Sequence, residues 1–351
     1  MTDQNRGHEA GSPWQMPLAA WKEILARTWR QTWLDNVSLV AAGVAFYGFL
    51  AIVPLLGLIV LAYGFAADPE TVIRNMQVLT IILPKDVALL IGQQLMNAVK
   101  SSETTKGVGV LVALVFSLYG GCNGAGSIIT ALNIAYQEKE KRSLARFYLI
   151  ALLMTIGAVA LALLGLAATS AIAALSRLLP DASFAIIVAG RVSGYVAFAL
   201  AAAGVAAALY RFAPSREAAR WQWITPGSLF TALTWLSLTL LFGLYVSHVA
   251  HYNVTYGPLG AMIALLTWIY LSAYVLLIGA ELNSEVEHQT AKDSTTGQPR
   301  PLGTRGAWAA DNVADNPDAD EQVVSDEAAP SLGAAGPPLP SSDQASEVSE
   351  H

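Results

Sequence analysis

The chain has 351 residues, of which 54% are hydrophobic and only 13% charged, with a formal net charge of −6 at pH 7. A soluble domain carries about 25% charged residues, so this composition excludes an ordinary water-soluble globule. A single cysteine, Cys122, excludes a disulfide framework and a thiolate zinc cluster.

The first 35 or so residues are polar and charged and lack the short apolar core and cleavage site of a signal peptide. Within them, Leu18, Trp21, Leu25, Trp29 and Trp33 recur at helical spacing, with Lys22, Glu23, Arg27 and Arg30 mostly elsewhere around the helix. This pattern predicts an amphipathic helix lying at a membrane interface, where Trp is favoured. Residues 1–38 are therefore an N-terminal segment and residues 39–288 a membrane domain. About 20 apolar residues cross a bilayer as a helix, and lipid leaves helices as the only way to satisfy the backbone of such long apolar runs. Six spans are predicted: Leu39 to Ala67, Val108 to Tyr136, Phe147 to Leu175, Ala185 to Tyr210, Ile224 to His248 and Tyr256 to Leu282. No alternation of polar and apolar residues supports a β-barrel. The fold class is all-α, a polytopic helix bundle. Between the first two spans, residues 71–100 hold two amphipathic patterns broken at Pro84, which predict a helical hairpin resting on the outer face.

Lys and Arg concentrate in the N-terminal segment, in the second connection (Lys139, Lys141, Arg142, Arg146) and in the fourth (Arg211, Arg216, Arg220). Positive residues stay on the cytoplasmic side, which puts both termini inside the cell. From Gln289 to His351 the composition turns to Asp, Pro, Ser, Gly and Ala with few large apolar residues, the signature of a disordered tail. That tail carries 11 acids and 3 bases, leaving about +2 for everything before it. Trp308 is a lone aromatic within it.

Polar groups at lipid depth are costly unless they face other helices or water, so the few present mark the candidate path or gate. The second span carries Gly120, Gly121, Gly124 and Gly126 around Asn123. Two readings stay open: a discontinuous helix lining a solute or headgroup path, or a small-residue packing seam with Asn123 bonded across it. Cys122 in this run is an inert small residue. Asn133 lies near the inner end of the same span. In the first span Pro54 removes a helical hydrogen bond and kinks the chain, with Tyr47 two turns before it. His248 and His251 have no third ligand for zinc. Glu281, at the inner end of the last span, is the acid expected to be partly buried and to pair with Arg142, Arg146 or Arg211. No catalytic, metal or cofactor residue is assigned. Membrane lipids are the expected partners, with envelope proteins or a second copy beside them. Nucleic acid is not expected, since the wide basic face with aromatics that it requires is missing.

Several segments in this order resemble the YihY/BrkB family of bacterial inner-membrane proteins. They are Ala42 to Leu55, Ala131 to Tyr136, Trp223 to Ser228, Thr255 to Ala261, and Trp268 to Tyr270 followed by Gly279 to Asn283. The resemblance covers about residues 20–288 and implies a six-helix inner-membrane protein without a settled activity. Members have carried a ribonuclease label, but the sequence offers no cluster of His and carboxylates on a soluble face to hold catalytic metal. It reads as a non-enzyme. Two functions remain: transport or flipping of a lipid or amphiphilic solute, and a non-catalytic scaffold in envelope assembly, the latter favoured by the scarcity of charge within the spans.

Overall fold

A computed structural model describes residues 7–66, 108–178, 184–248 and 258–314. After a 3-10 turn at Pro13–Gln15 come α1 (Leu18–Leu34), α2 (Val37–Ala66), α3 (Val108–Ala135), α4 (Leu144–Leu178), α5 (Phe184–Phe212), α6 (Trp221–His248), α7 (Pro258–His288) and the single turn α8 (Trp308–Asp311). The protein is all-α, and each of the six long helices overlies one predicted span. Among the described residues, Leu144–Gly165, Trp221–Val246 and Met262–His288 are long and apolar enough to cross a membrane. A fourth crossing is added if the bent pair Leu18–Leu34 and Val37–Ile52 counts as one span. The hairpin expected at 71–100, His251 and residues 315–351 lie outside the described residues.

The long helices pack in the order α4, α3, α2, α7, α6, α5, with α1 laid across α7 and α2. α7 lies near the centre of this row and holds more of the buried polar residues than any other helix. The starts of α2, α4 and α6 and the ends of α3, α5 and α7 all gather at one end, which we term the polar end. The connections meeting there are those in which the sequence concentrates Lys and Arg. Most of the largest fully buried side chains are found at this end, among them Ile24, Leu132, Tyr136, Tyr210, Trp223, Ile224, Glu281 and Glu287. Farther along the helices, large apolar residues such as Phe116, Leu164, Leu200 and Leu241 are exposed, as expected where lipid replaces water.

α1 docks with an unusual face. Ala20, Ile24, Arg27, Thr28 and Thr32 are buried against the bundle, while Leu18, Leu25, Trp29 and Trp33 point away, Leu18 being 82% exposed and Trp33 66%. An amphipathic helix of a soluble protein does the reverse. The outward apolar stripe suits the membrane interface read from the sequence. α1 ends at Asp35, and Asn36 takes a left-handed φ of 49°, which Asn tolerates. α2 then departs at 62°.

The polar end is closed by chain that composition assigns to the tail. Residues 289–314 are packed, with Gln289, Thr290, Ser294, Thr295, Arg305, Ala309 and Ala310 buried. The Ala291 amide donates to the His8 carbonyl at 2.9 Å, and Thr295 bridges Ala219 in the α5–α6 connection. Arg305 donates to the carbonyls of Ala291, Arg300 and Ala310. Trp308 is not a stray aromatic: its amide donates to Glu138 at 2.6 Å and its ring lies 5.0 Å from that of His288. The shift to small and polar residues at Gln289 marks the end of the last long helix, about 25 residues before the packed chain stops. Small side chains suit a segment lying flat on the ends of helices.

Candidate functional site: an open helix face and a buried polar end

The glycine run of α3 is unbroken helix, so the discontinuous-helix reading is overturned for these residues. Its glycines instead let neighbours approach. A Cβ on Gly120 would collide with Pro54, one on Gly124 would lie 2.8 Å from the Ala51 Cβ, and one on Gly121 would lie 2.5 Å from the Thr155 methyl. Gly120, Gly121 and Gly124 thus form a seam in which α2 and α4 press on α3, the close approach that small residues permit between helices in lipid. Pro54 stays within α2 and serves as the knob of that seam. Tyr47 presents its carbonyl to Gly124 while its ring is half exposed against Phe46.

Asn123 does not bond across this seam. It lies on the remaining face of α3 with Phe116, Tyr119, Thr130 and Ile134, whose positions fall on one side of a 3.6-residue helix and which are all exposed. The Ser127 and Thr130 hydroxyls on this face are satisfied by the carbonyls of Gly124 and Gly126, at 2.7 and 3.0 Å. Tyr119 and half-buried Asn123 make no hydrogen bond among the described residues.

At the polar end, segments distant in sequence converge. Asn133 lies at the end of α3, donating to Glu140 at 3.0 Å and accepting from the Ser215 amide at 2.7 Å, so it joins two connections. Asn283 of α7 accepts from the Gly227 amide at 2.7 Å and donates to the Ile224 carbonyl at 3.1 Å. Arg27 of α1 donates to Glu285 at 2.7 Å and also to Gln289. His288 lies 3.4 Å from the same Glu285 carboxylate. Arg216 donates to Glu287 at 2.6 Å, with Ser294 on the same oxygen at 2.7 Å and the Tyr136 ring 4.9 Å from the guanidinium. Burial lowers the basicity of Arg216, but the Glu287 charge outweighs it and carries the group above its ordinary value. In the α3–α4 connection, hydrogen bonds from Arg142 hold Glu140 down at about 2.

Glu281 is fully buried, as expected, yet it pairs with none of the expected bases. Arg142 is committed to Glu140 and the Ala213 carbonyl, Arg211 to the Ala219 carbonyl and the Trp221 ring, and Arg146 is exposed. The neighbours of Glu281 are Asp35 and Glu285. The structure therefore gathers Gly121, Gly124 and Pro54 in one seam, places Asn133 and Glu281 at the polar end, and leaves Asn123 on an open face apart from both. Sequence reasoning missed Arg27, Arg216, Asn283, Glu285 and Glu287. Arg27, Glu285 and Glu287 carried a signal, since single charges flanking apolar runs are costly to bury unless paired. No group of three or more His, Cys, Asp or Glu is placed to hold a metal ion among the described residues.

Three of the segments through which the sequence resembles a known family, Ala131 to Tyr136, Trp223 to Ser228 and Gly279 to Asn283, supply residues to this polar end, and the family described as Virulence factor BrkB matches residues 28–302. The chain belongs to the BrkB family. The match runs past α7 into the packed segment that covers the polar end. Among curated relatives, this BrkB-family chain is 29% identical to the ribonuclease-like protein YfkH of Bacillus subtilis over 174 residues. That alignment takes in 49% of the chain and 63% of YfkH, so the chain spans less than two thirds of that relative. A UPF0761 membrane protein of Pseudoalteromonas translucida is 35% identical over 86 residues, 24% of this chain and 28% of its own. Another, from Vibrio atlanticus, is 26% identical over 280 residues, covering 75% of this chain and 86% of its own. No solved structure matches.

Proposed function

We propose that this BrkB-family membrane protein moves a lipid or amphiphilic solute along the open face of α3, in a bacterial inner membrane that it crosses six times with both termini inside. The observation that carries the proposal is the half-buried Asn123 with Tyr119 on a helix face that no described helix covers. An amide and a phenol turned toward hydrocarbon are expensive, whereas turned toward a wet groove they meet headgroup oxygens and water. The α2–α3–α4 seam beneath them holds that face rigid.

The test is reconstitution in liposomes with a fluorescent phospholipid. The protein should accelerate exchange of the label between leaflets, and Asn123→Leu should slow it. Liposomes in which no labelled lipid moves, together with an Asn123→Leu strain indistinguishable from its parent, would remove the reading. A scaffold in envelope assembly is the second reading, favoured by the tightly fastened polar end and its packed 289–314 segment. Scarcity of charge within the spans still favours it, because, of the buried Arg27, Arg216, Glu281, Glu285 and Glu287, only Glu281 lies inside a predicted span. Neither reading makes the protein an enzyme, and the purified protein should show no metal-dependent RNA cleavage.

A further inference from the structure

α1 turns its apolar residues away from the protein in one line. Leu18, Leu25, Trp29 and Trp33 fall on one side of a 3.6-residue helix and are between 55% and 82% exposed, and the Trp29 and Trp33 rings meet edge to face at 6.0 Å. The exposed apolar surface continues through Leu34 at the end of α1 to Leu39, Phe46 and Leu50 of α2, a helix that overlies a predicted span. Where α2 faces acyl chains, the 62° bend turns α1 out of that direction, toward the plane of the headgroups. The opposite face of α1 is fixed to the bundle by Arg27 on Glu285 and Gln289.

Cations adjoin this stripe. Lys22 lies within it, between Leu18 and Leu25, and is exposed, whereas Arg27 is buried and Arg30 is half buried and partnered. At the other end of α1 the Gln137 side-chain amide donates to Asp35 at 2.7 Å, which sets the start of the α3–α4 connection beside the last turn of α1. Lys139 follows Gln137 in that connection, and Arg146 lies in the first turn of α4. Both are exposed, and among the described residues neither they nor Lys22 form an ion pair. The acids around them are all met: Glu23 accepts from Gln289, Asp35 from Gln31 and Gln137, Glu138 from Lys141 and the Trp308 amide, and Glu140 from Arg142. An apolar stripe is thus left open with uncompensated positive charge within it and at its end.

We propose that the outward face of α1 and the α3–α4 connection form one binding surface for anionic phospholipid. Leu18, Leu25, Trp29 and Trp33 enter the boundary between headgroups and acyl chains, the depth that Trp favours, and Lys22, Lys139 and Arg146 meet the negative headgroups. Lys22 suits a place inside an apolar line, because its stem lies along apolar surface while the ammonium reaches the headgroup layer. The surface takes no part in the proposed transport path, since it involves neither Asn123 nor Tyr119.

The full-length protein in lipid nanodiscs tests this. On a Cys122→Ala background, a nitroxide attached through Leu25→Cys should collide more often with oxygen, which concentrates among acyl chains, than with a water-soluble nickel complex. An excess of nickel collisions would place the stripe in water, and shielding from both would place protein over it, a second copy included; either result overturns the proposal. Spin-labelled phosphatidylglycerol and phosphatidylcholine read the charge. Wild-type protein should immobilise a larger fraction of the phosphatidylglycerol, the excess should shrink with rising salt, and Lys22→Gln with Lys139→Gln and Arg146→Gln should remove most of it. Lys292→Gln with Arg300→Gln, which neutralises two exposed bases of the segment covering the polar end, should leave it. No excess in wild type, or an equal excess in the triple variant, overturns the anionic lipid. Leu25 and all five bases are exposed, so these variants should keep the fold. Leaflet exchange of lipid is a separate readout, so failure of one proposal leaves the other standing.

Discussion

Asn283 of α7 bonds the backbone of α6 around Gly227, accepting from the Gly227 amide at 2.7 Å and donating to the Ile224 carbonyl at 3.1 Å. Pro226 gives α6 no amide at the preceding position, and Gly227 lets α7 come close enough for the exchange. A Cβ on Gly279 would strike the Thr231 hydroxyl, while one on Gly227 would strike the Gly279 carbonyl. The pieces Trp223 to Ser228 and Gly279 to Asn283, about 50 residues apart, are thus one structural joint.

Asn283→Leu should leave a buried donor and acceptor unmet, at a cost of about 1–3 kcal/mol each. Gly279→Ala should overpack the same joint at about 3 kcal/mol. Thermal unfolding in a fixed detergent, followed by circular dichroism, reads both; an unchanged midpoint in either variant counts against the joint.

The glycines of α3 and α4 should separate by their surroundings. Gly157→Ala, where a Cβ meets nothing within 4 Å, should stabilise by about 0.5–1 kcal/mol because Ala is the better helix former. Gly121→Ala should instead destabilise by about 1–3 kcal/mol, since its Cβ would press on Thr155. Unfolding in mixed micelles with rising SDS should order the proteins Gly157→Ala, wild type, Gly121→Ala.

Arg27→Ala removes the base from buried Glu285, and breaking a buried pair costs about 3–5 kcal/mol. Replacing both partners, Arg27→Met with Glu285→Leu, should recover most of that loss, because an apolar pair carries no desolvation penalty. Recovery distinguishes loss of a charge partner from loss of the α1 contact itself. A double variant as unstable as Arg27→Ala would show that the helix, and not the pair, is what matters.

The long helices were legible because apolar length is a one-dimensional signal, and the helix limits follow it closely. The polar end was less so. Asn133 and Glu281 were visible as polar residues at the ends of apolar runs, but Glu281 could not be given its neighbour. Asp35 reaches it only through a corner set by the left-handed Asn36, and Arg142 is captured by Glu140 two residues away. The glycine run showed that something approaches α3 without showing what, since Pro54 and Thr155 are identified only by packing. Residues 290–313 were misread as tail because backbone groups fasten them to the bundle and the buried Arg305 braces them internally, neither of which leaves a hydrophobic pattern.

Glu140 makes stability depend on pH in a defined window. Its folded pKa of about 2 is depressed, chiefly by hydrogen bonds from Arg142, whereas an unfolded Glu titrates near 4.3. The stabilisation is therefore fully present above about pH 5 and lost as pH falls toward 2. The carboxylate is partly solvated, so the effect should be about 1 kcal/mol or less. Glu140→Gln should melt below wild type at pH 7, with the gap closing at pH 2.5. A gap independent of pH would assign the loss to the amide's geometry and not to charge.

The limit of the packed chain can be read by truncation. The segment through Val313 belongs to one compact unit that begins at the N terminus, and the family match already extends to residue 302. A chain ending at Val313 should melt as the full-length protein does. One ending at Gln289 loses the bond from the Ser294 hydroxyl to Glu287, the bond from the Trp308 amide to Glu138, the bond from Arg220 to the Thr295 carbonyl, and the pairing of Thr295 with Ala219. With each charged hydrogen bond contributing about 1.5–3 kcal/mol, the loss should be on the order of 3 kcal/mol after allowing for the entropy of ordering the segment. It should appear first at the polar end. Amide exchange at Glu138 and Arg220, whose connections the segment covers, should quicken in the shorter chain while exchange in the middle of α3 stays slow. Equal exchange in the two truncated chains would mean that the segment rests on the bundle without fastening it.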